Sequence, residues 1–167
     1  MDGTTDWSAD VLIIEDDPGD ALLVTESFAQ GDAARRCHVA VEAQQALRFL
    51  RRSGEHAGAP RPRLILLDLN LEGTHGLEVL AELKSDDDLK SIPVVVLSSS
   101  RHPADVARSY ALHANAYMVK PVELDDFSAM IRTIDICFLR LAAVPEADEN
   151  SSYAAHPVVT SGGPAQA

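Results

Sequence analysis

Hydrophobic residues in this chain fall into two kinds of segment that alternate. Three short unbroken runs, Val11-Leu12-Ile13-Ile14, Leu64-Ile65-Leu66-Leu67 and residues 92–97, have the length and branched content of strands buried on both faces. Residues 37–41 are a weaker strand candidate, and residues 116–119 read as a short strand. Between the runs the apolar positions recur at helical spacing. Ala21, Leu22, Val24, Thr25 and Phe28 lead up to Gly31; Ala46, Leu47, Phe49 and Leu50 lie within 43–53; Leu77, Val79, Leu80 and Leu83 lie within 76–84. Pro103 suits the first turn of a helix over 103–112. The last helix is expected over 123–141. At about 100° per residue, Leu124, Phe127, Ile131, Ile134, Phe138 and Leu141 make its core stripe. Ile136 and Leu139 fall off that stripe and are expected to be exposed beside Cys137.

Five strands alternating with five helices predict an α/β fold: a parallel sheet covered by helices on both faces. Residues 54–62 are rich in Gly and Pro and read as a loop. From Ala142 onward the composition turns to Pro, Ser, Gly, Ala and acids. One folded domain is therefore expected over 10–141, flanked by a disordered N-terminus, 1–9, and a disordered tail, 142–167.

Composition narrows the function. The 167 residues carry a formal net charge of −12, with 46% hydrophobic and 24% charged residues, as in a soluble globular protein. Nucleic-acid binding needs a basic patch, and no cluster exceeds Arg35-Arg36 or Arg51-Arg52. No apolar run reaches the roughly 18 residues of a membrane helix. The acidic N-terminus is not a signal peptide, so a cytoplasmic protein is expected. Cys37 and Cys137 suggest neither a disulfide framework nor a metal knuckle; both lie in apolar stretches and read as buried small side chains.

In a parallel sheet of this kind the ligand site lies beyond the carboxyl ends of the strands. That rule gathers Glu15-Asp16-Asp17, Asp68, Ser98 and Lys120 into one pocket. Crowded carboxylates stay ionised only beside a compensating cation, and oxygen ligands of this sort suit Mg2+. A carboxylate can itself be the nucleophile that forms an acyl phosphate. Phosphoryl transfer then needs mainly positioning, positive charge and donors around the moving oxygens, which Mg2+, Lys120 and Ser98 would supply. Singly these residues are ordinary: an Asp after a strand is as often a helix cap. Their joint placement at strand ends is the specific signal.

The stretches Ile13 to Asp20 (IIEDDPGD), Leu64 to Gly76 (LILLDLNLEGTHG), Ile92 to Ser100 (IPVVVLSSS) and Ala116 to Pro121 (AYMVKP) resemble the receiver domain of two-component response regulators. The separations agree as well: 30 residues from Asp68 to Ser98 and 52 from Asp68 to Lys120. The resemblance implies a doubly wound, flavodoxin-like (βα)5 fold with strand order 2-1-3-4-5. It implies that Asp68 is the phosphoacceptor and that Glu15 and Asp16 are the acidic pair, Asp16 binding Mg2+ directly. A one-residue slip would make the pair Asp16 and Asp17; the spacing to Pro18 favours the first choice. It also implies that the Asn70 backbone carbonyl completes the metal shell, that Ser98 and Lys120 bind the phosphoryl group, and that Tyr117 swings inward on activation. A cis Lys120-Pro121 bond is expected on the same ground. Glu72 and His75 depart from the commoner Pro and Asp. The narrower resemblance is to the small regulators paired with bacterial phytochromes.

The resulting expectation is a phosphorelay module that takes a phosphoryl group from a sensor histidine kinase and signals through protein contacts, not a turnover enzyme beyond self-catalysed phosphoryl acceptance and autodephosphorylation. A homodimer through the last helix is expected from Ile136 and Leu139. Two other classes compete. An aspartyl-nucleophile phosphatase would carry a second Asp where Asn70 stands, and a constitutive pseudo-receiver would lack the complete acid, Ser and Lys set.

Overall fold

The computed structural model describes residues 9–31 and 35–143. The expected disordered stretches lie outside these residues, apart from Ala9, which opens the first strand, and residues 142–143. Strands β1 (Ala9–Ile14), β2 (Arg35–Ala40), β3 (Leu64–Asp68), β4 (Val94–Ser98) and β5 (Ala116–Val119) form one parallel sheet in the order β2-β1-β3-β4-β5. Helices α1 (Pro18–Ala29), α2 (Ala43–Leu50), α3 (Gly76–Ser85), α4 (Pro103–Ala111) and α5 (Leu124–Ile134) alternate with them. The expected α/β class and strand order are both observed.

Every residue of β1, β3 and β4 is buried, so each strand feeds two cores at once. Val11, Ile13, Leu64, Leu66, Val95 and Leu97 pack under α1 and α5, whereas Leu12, Ile14, Ile65, Leu67, Val94 and Val96 pack under α2 and α3. Burying one such side chain stabilises by about 1.5–3 kcal/mol, so the central strands are the stiffest part of the molecule. β2 and β5 are the edges and are only partly buried, which explains the weaker pattern of β2 in the sequence.

Several expectations are corrected. α2 ends at Leu50, ahead of left-handed Arg52 and Gly54, and residues 54–56 form a 3-10 turn. The last helix does not keep one period. Beyond Ile134 it widens into a π-helix, Asp135–Leu141, whose hydrogen bonds reach one residue further along the chain. The buried stripe therefore steps from Ile134 to Leu139, five residues on, and Leu139 is 0% exposed. Leu141 and Leu124, expected in the core, face solvent, and so does Cys137; Ile136 is exposed as expected. A buried Arg35–Asp135 ion pair, with Arg140 on the second Asp135 oxygen, ties this π segment to β2. The Lys120-Pro121 bond is trans, as no cis peptide occurs among the described residues. Trans is the intrinsically favoured isomer even before proline.

Candidate acidic pocket and metal site

β1 ends at Ile14, and Glu15 extends its pairing by donating its N–H to Ala40 O at 3.0 Å. Glu15 is thus held at the sheet's carboxyl end with its side chain buried. Asp17 departs from the sheet: its carboxylate accepts the Asp20 N–H at 2.8 Å and caps α1. Asp17 thus caps α1 and is not one of the acids whose oxygens come together. Glu15, Asp16 and Asp68 each offer one oxygen, and the three oxygens lie within 4.8 Å of one another. Asp16 Oδ2 also accepts the Glu72 N–H at 2.8 Å, anchoring the loop after β3.

Asp68 closes β3 and is buried. Its Oδ1 accepts the Asn70 N–H at 2.9 Å, and its Oδ2 accepts from Lys120 Nζ at 2.8 Å. Lys120 also donates to Glu15 Oε2 and to Asp20 Oδ2, both at 2.7 Å. Its backbone N–H bonds Ser98 O at 2.9 Å, which sets the end of β5 beside the end of β4. Ser98 is fully buried, and its Oγ accepts the Ser100 N–H at 3.1 Å. Tyr117 is half-buried on β5; its hydroxyl donates to Ser100 O at 2.9 Å.

Electrostatics follow from three acids on one ammonium, with Asp16 clustered beside two of them. Burial pushes Glu15 up to about 7, against the pull of Lys120 and of the Asp17 N–H. Burial also acts to raise Asp68, but the Asn70 N–H and the Lys120 ammonium outweigh it and hold Asp68 below the usual carboxylate range. Burial disfavours charge on Lys120, yet Asp20, Asp68 and Glu15 together raise it. Asp68 is therefore an ionised, positioned carboxylate, and the negative charge is in excess. A divalent cation with oxygen preference fits both the donor set and the charge.

Two contributors were not legible as such. Gly76 opens α3, where a Cβ would sit 2.3 Å from Asp68 O and 2.6 Å from Leu69 Cα. Only glycine lets α3 start against the backbone that carries Asp68. The sequence marks Gly76 as a helix start but gives no sign of this close approach. Asp20 carries no signal of its own in the sequence, since an acid in the first turn of a helix behind a proline is ordinary. Between Asp68 and α3 a short hairpin pairs Asn70–Leu71 with Thr74–His75, turning at left-handed Gly73, and His75 caps α3.

An ionised aspartate at the end of a central parallel strand, with two further acids and a lysine on neighbouring strand ends, is the arrangement of a receiver pocket rather than of a hydrolytic triad. The chain belongs to the response regulator receiver domain family, whose pattern it matches over residues 11–132. It is 41% identical over 137 residues to the response regulator Rcp1 of Synechocystis sp., spanning 82% of this chain and 93% of Rcp1. The phosphorylated cyanobacterial phytochrome response regulator RcpA superposes with a TM-score of 0.80 at 40% identity, over 83% of this chain and 99% of RcpA. The Mn2+-bound form of Rcp1 does so with a TM-score of 0.78 at 40% identity, over 83% and 99% of the two chains. These relatives put the chain with two-component receivers, not with aspartyl-nucleophile phosphatases.

Proposed function

We propose that this chain is a phosphorylation switch that receives a phosphoryl group on Asp68 from a sensor histidine kinase of the phytochrome class. The convergence of Glu15, Asp16 and Asp68, with Lys120 on the second Asp68 oxygen, is the observation that carries the reading. The likeness to Rcp1 and to the phytochrome regulator RcpA supports the kinase class. One carboxylate oxygen of Asp68 attacks the phosphorus of a phosphohistidine. The new O–P bond forms as the N–P bond breaks, and the imidazole keeps the electron pair. Glu15, Asp16, Asp68 and the Asn70 carbonyl would hold Mg2+. When bound, Mg2+ offsets the charge on the transferring oxygens. The Ser98 hydroxyl and the Lys120 ammonium take up the phosphoryl oxygens, and Tyr117 follows Ser98 inward. Water attack at phosphorus, releasing inorganic phosphate, resets the switch.

The receiver unit spans 10–141 and works in the cytoplasm through protein contacts, with no nucleic-acid or membrane target. The net charge of −12 supports this. It pairs as a homodimer through the last helix, using exposed Ile136 and Leu141 rather than Leu139. Ile136→Asp with Leu141→Asp then gives a folded monomer in sedimentation; a monomeric wild type at tens of micromolar contradicts the dimer.

The function is tested by incubating the wild type and Asp68→Asn with an autophosphorylated phytochrome kinase, with and without Mg2+. The wild type is expected to gain one phosphoryl group only with Mg2+, and Asp68→Asn none. Labelling of Asp68→Asn at the wild-type rate would overturn the reading.

A further inference from the structure

Lys120 has three N–H donors, and all three are spent. They go to Glu15 Oε2 at 2.7 Å, Asp20 Oδ2 at 2.7 Å and Asp68 Oδ2 at 2.8 Å. An ammonium has no fourth donor. If Lys120 is to bond a phosphoryl oxygen on Asp68, it must release one of the three. The three acids differ in what release costs. The Glu15 and Asp68 side chains are 5% and 8% exposed, whereas that of Asp20 is 37% exposed. A buried carboxylate that loses its partner keeps its full desolvation penalty. Asp20 exchanges Lys120 for water. It also stands in the first turn of α1, behind Pro18, where the helix N-terminus favours a free negative charge. The Asp17 cap on its N–H holds it in place.

Resting on the reading of Asp68 as acceptor, we propose that Asp20 is a positioning residue: it holds Lys120 in the unphosphorylated protein and releases it to the phosphoryl group, and so sets how readily the switched form is populated. Asp20 lies outside the group of three acids that could share a metal ion and bonds the Lys120 ammonium; it acts through Lys120. The pocket thus contains a counter-acid that competes with the phosphoryl group for one ammonium. Removing that competitor favours the phosphorylated geometry.

Beryllofluoride, a non-covalent phosphoryl mimic for aspartate, tests this at saturating Mg2+, its affinity read by fluorine NMR on the full chain. Asp20→Ala is expected to tighten binding by about tenfold, the size of one charge-assisted hydrogen bond no longer opposing the ligand. Asp20→Asn, which keeps an acceptor but not the charge, falls between Asp20→Ala and the wild type. Asp17→Asn, which removes the same charge three residues away and keeps a capping oxygen, stays within about twofold, on the same reasoning. A merely structural role for Asp20 lowers the unfolding temperature and does not tighten binding. Equal tightening in Asp17→Asn makes the effect general electrostatics and overturns the proposal. Unchanged or weaker binding in Asp20→Ala overturns it too, since Lys120 then gives up Asp68 Oδ2 instead, while wild-type binding leaves the acceptor reading standing. A wild type that binds no beryllofluoride overturns that reading and this inference with it.

Discussion

Helices α3 and α4 both lead away from the pocket, one after Asp68 and one after Ser98, yet they are attached in opposite ways. α3 buries Gly76, Leu77, Val79, Leu80 and Leu83; α4 buries only Ser109. The strands follow suit: all of β3 is buried, and all of β5 is half-buried. The α4–β5 flank is held by polar bonds instead. Tyr117 N donates to Tyr110 Oη at 3.2 Å, the Tyr117 hydroxyl reaches Ser100 O, and Ser100 Oγ meets Asp105 Oδ2 at 2.5 Å. A hydrogen bond exchanged with water changes stability by only about 0.5–1.5 kcal/mol, less than the burial of one core leucine. Asp68, Glu15 and Asp16 thus stand on the stiff side, while Lys120 and Tyr117 stand on the side that rearranges at low cost. That division suits a switch, whose chemistry must stay fixed while its readout moves.

The sharpest break in the comparison lies at the end of the last helix. Leu139→Asp places a charge in the α1–α5 core and is expected to cost on the order of 5 kcal/mol, enough to unfold a domain of ordinary stability. Ile136→Asp, three residues earlier, removes only the proposed dimer contact and leaves the protomer's own stability within about 0.5 kcal/mol when both variants are compared at concentrations too low for pairing. Urea denaturation followed by circular dichroism separates the two. A regular α-helix to Leu141 would make both substitutions mild. Next in size, Leu80→Ala in α3 is expected to cost about 2–5 kcal/mol. Val106→Ala, at a half-buried position of mostly exposed α4, costs about 1 kcal/mol or less. Equal losses would abolish the distinction between a stiff and a soft side.

The smallest effect concerns Asp10, at the pole opposite the pocket. Burial acts to raise this acid, but Arg36 and His38 outweigh it and lower it, so here the cation is built in. A depressed folded value means the contribution is present above the unfolded value near 3.8 and is lost as pH falls through the folded one. Asp10→Asn should therefore flatten the acid limb of the stability–pH curve below about pH 4 and leave Mg2+ binding unchanged. An unchanged acid limb would show that the pair contributes nothing.

The central strands were legible because burial on both faces leaves an unbroken apolar run. The pocket acids were legible because each directly follows such a run. Edge strand β2 was blurred, since its exposed positions interrupt the pattern. The π-helix at Asp135 was invisible to any analysis that keeps one period, and so Leu139 and Leu141 exchanged places. Asp20 and Gly76 were missed for a different reason. Their roles are pairwise, one with Lys120 across 100 residues and one with the Asp68 carbonyl, and neither leaves a periodic trace.

The most direct test of the account is to locate the acyl phosphate itself. After incubation with a small-molecule phosphodonor and Mg2+, borohydride reduction converts a phosphorylated aspartate to homoserine, which peptide mass spectrometry then places. Homoserine is expected at position 68 alone, and at no position when Mg2+ is chelated. Homoserine at position 16, or a phosphorylated protein with Asp68 intact, would contradict the assignment of nucleophile and metal ligand.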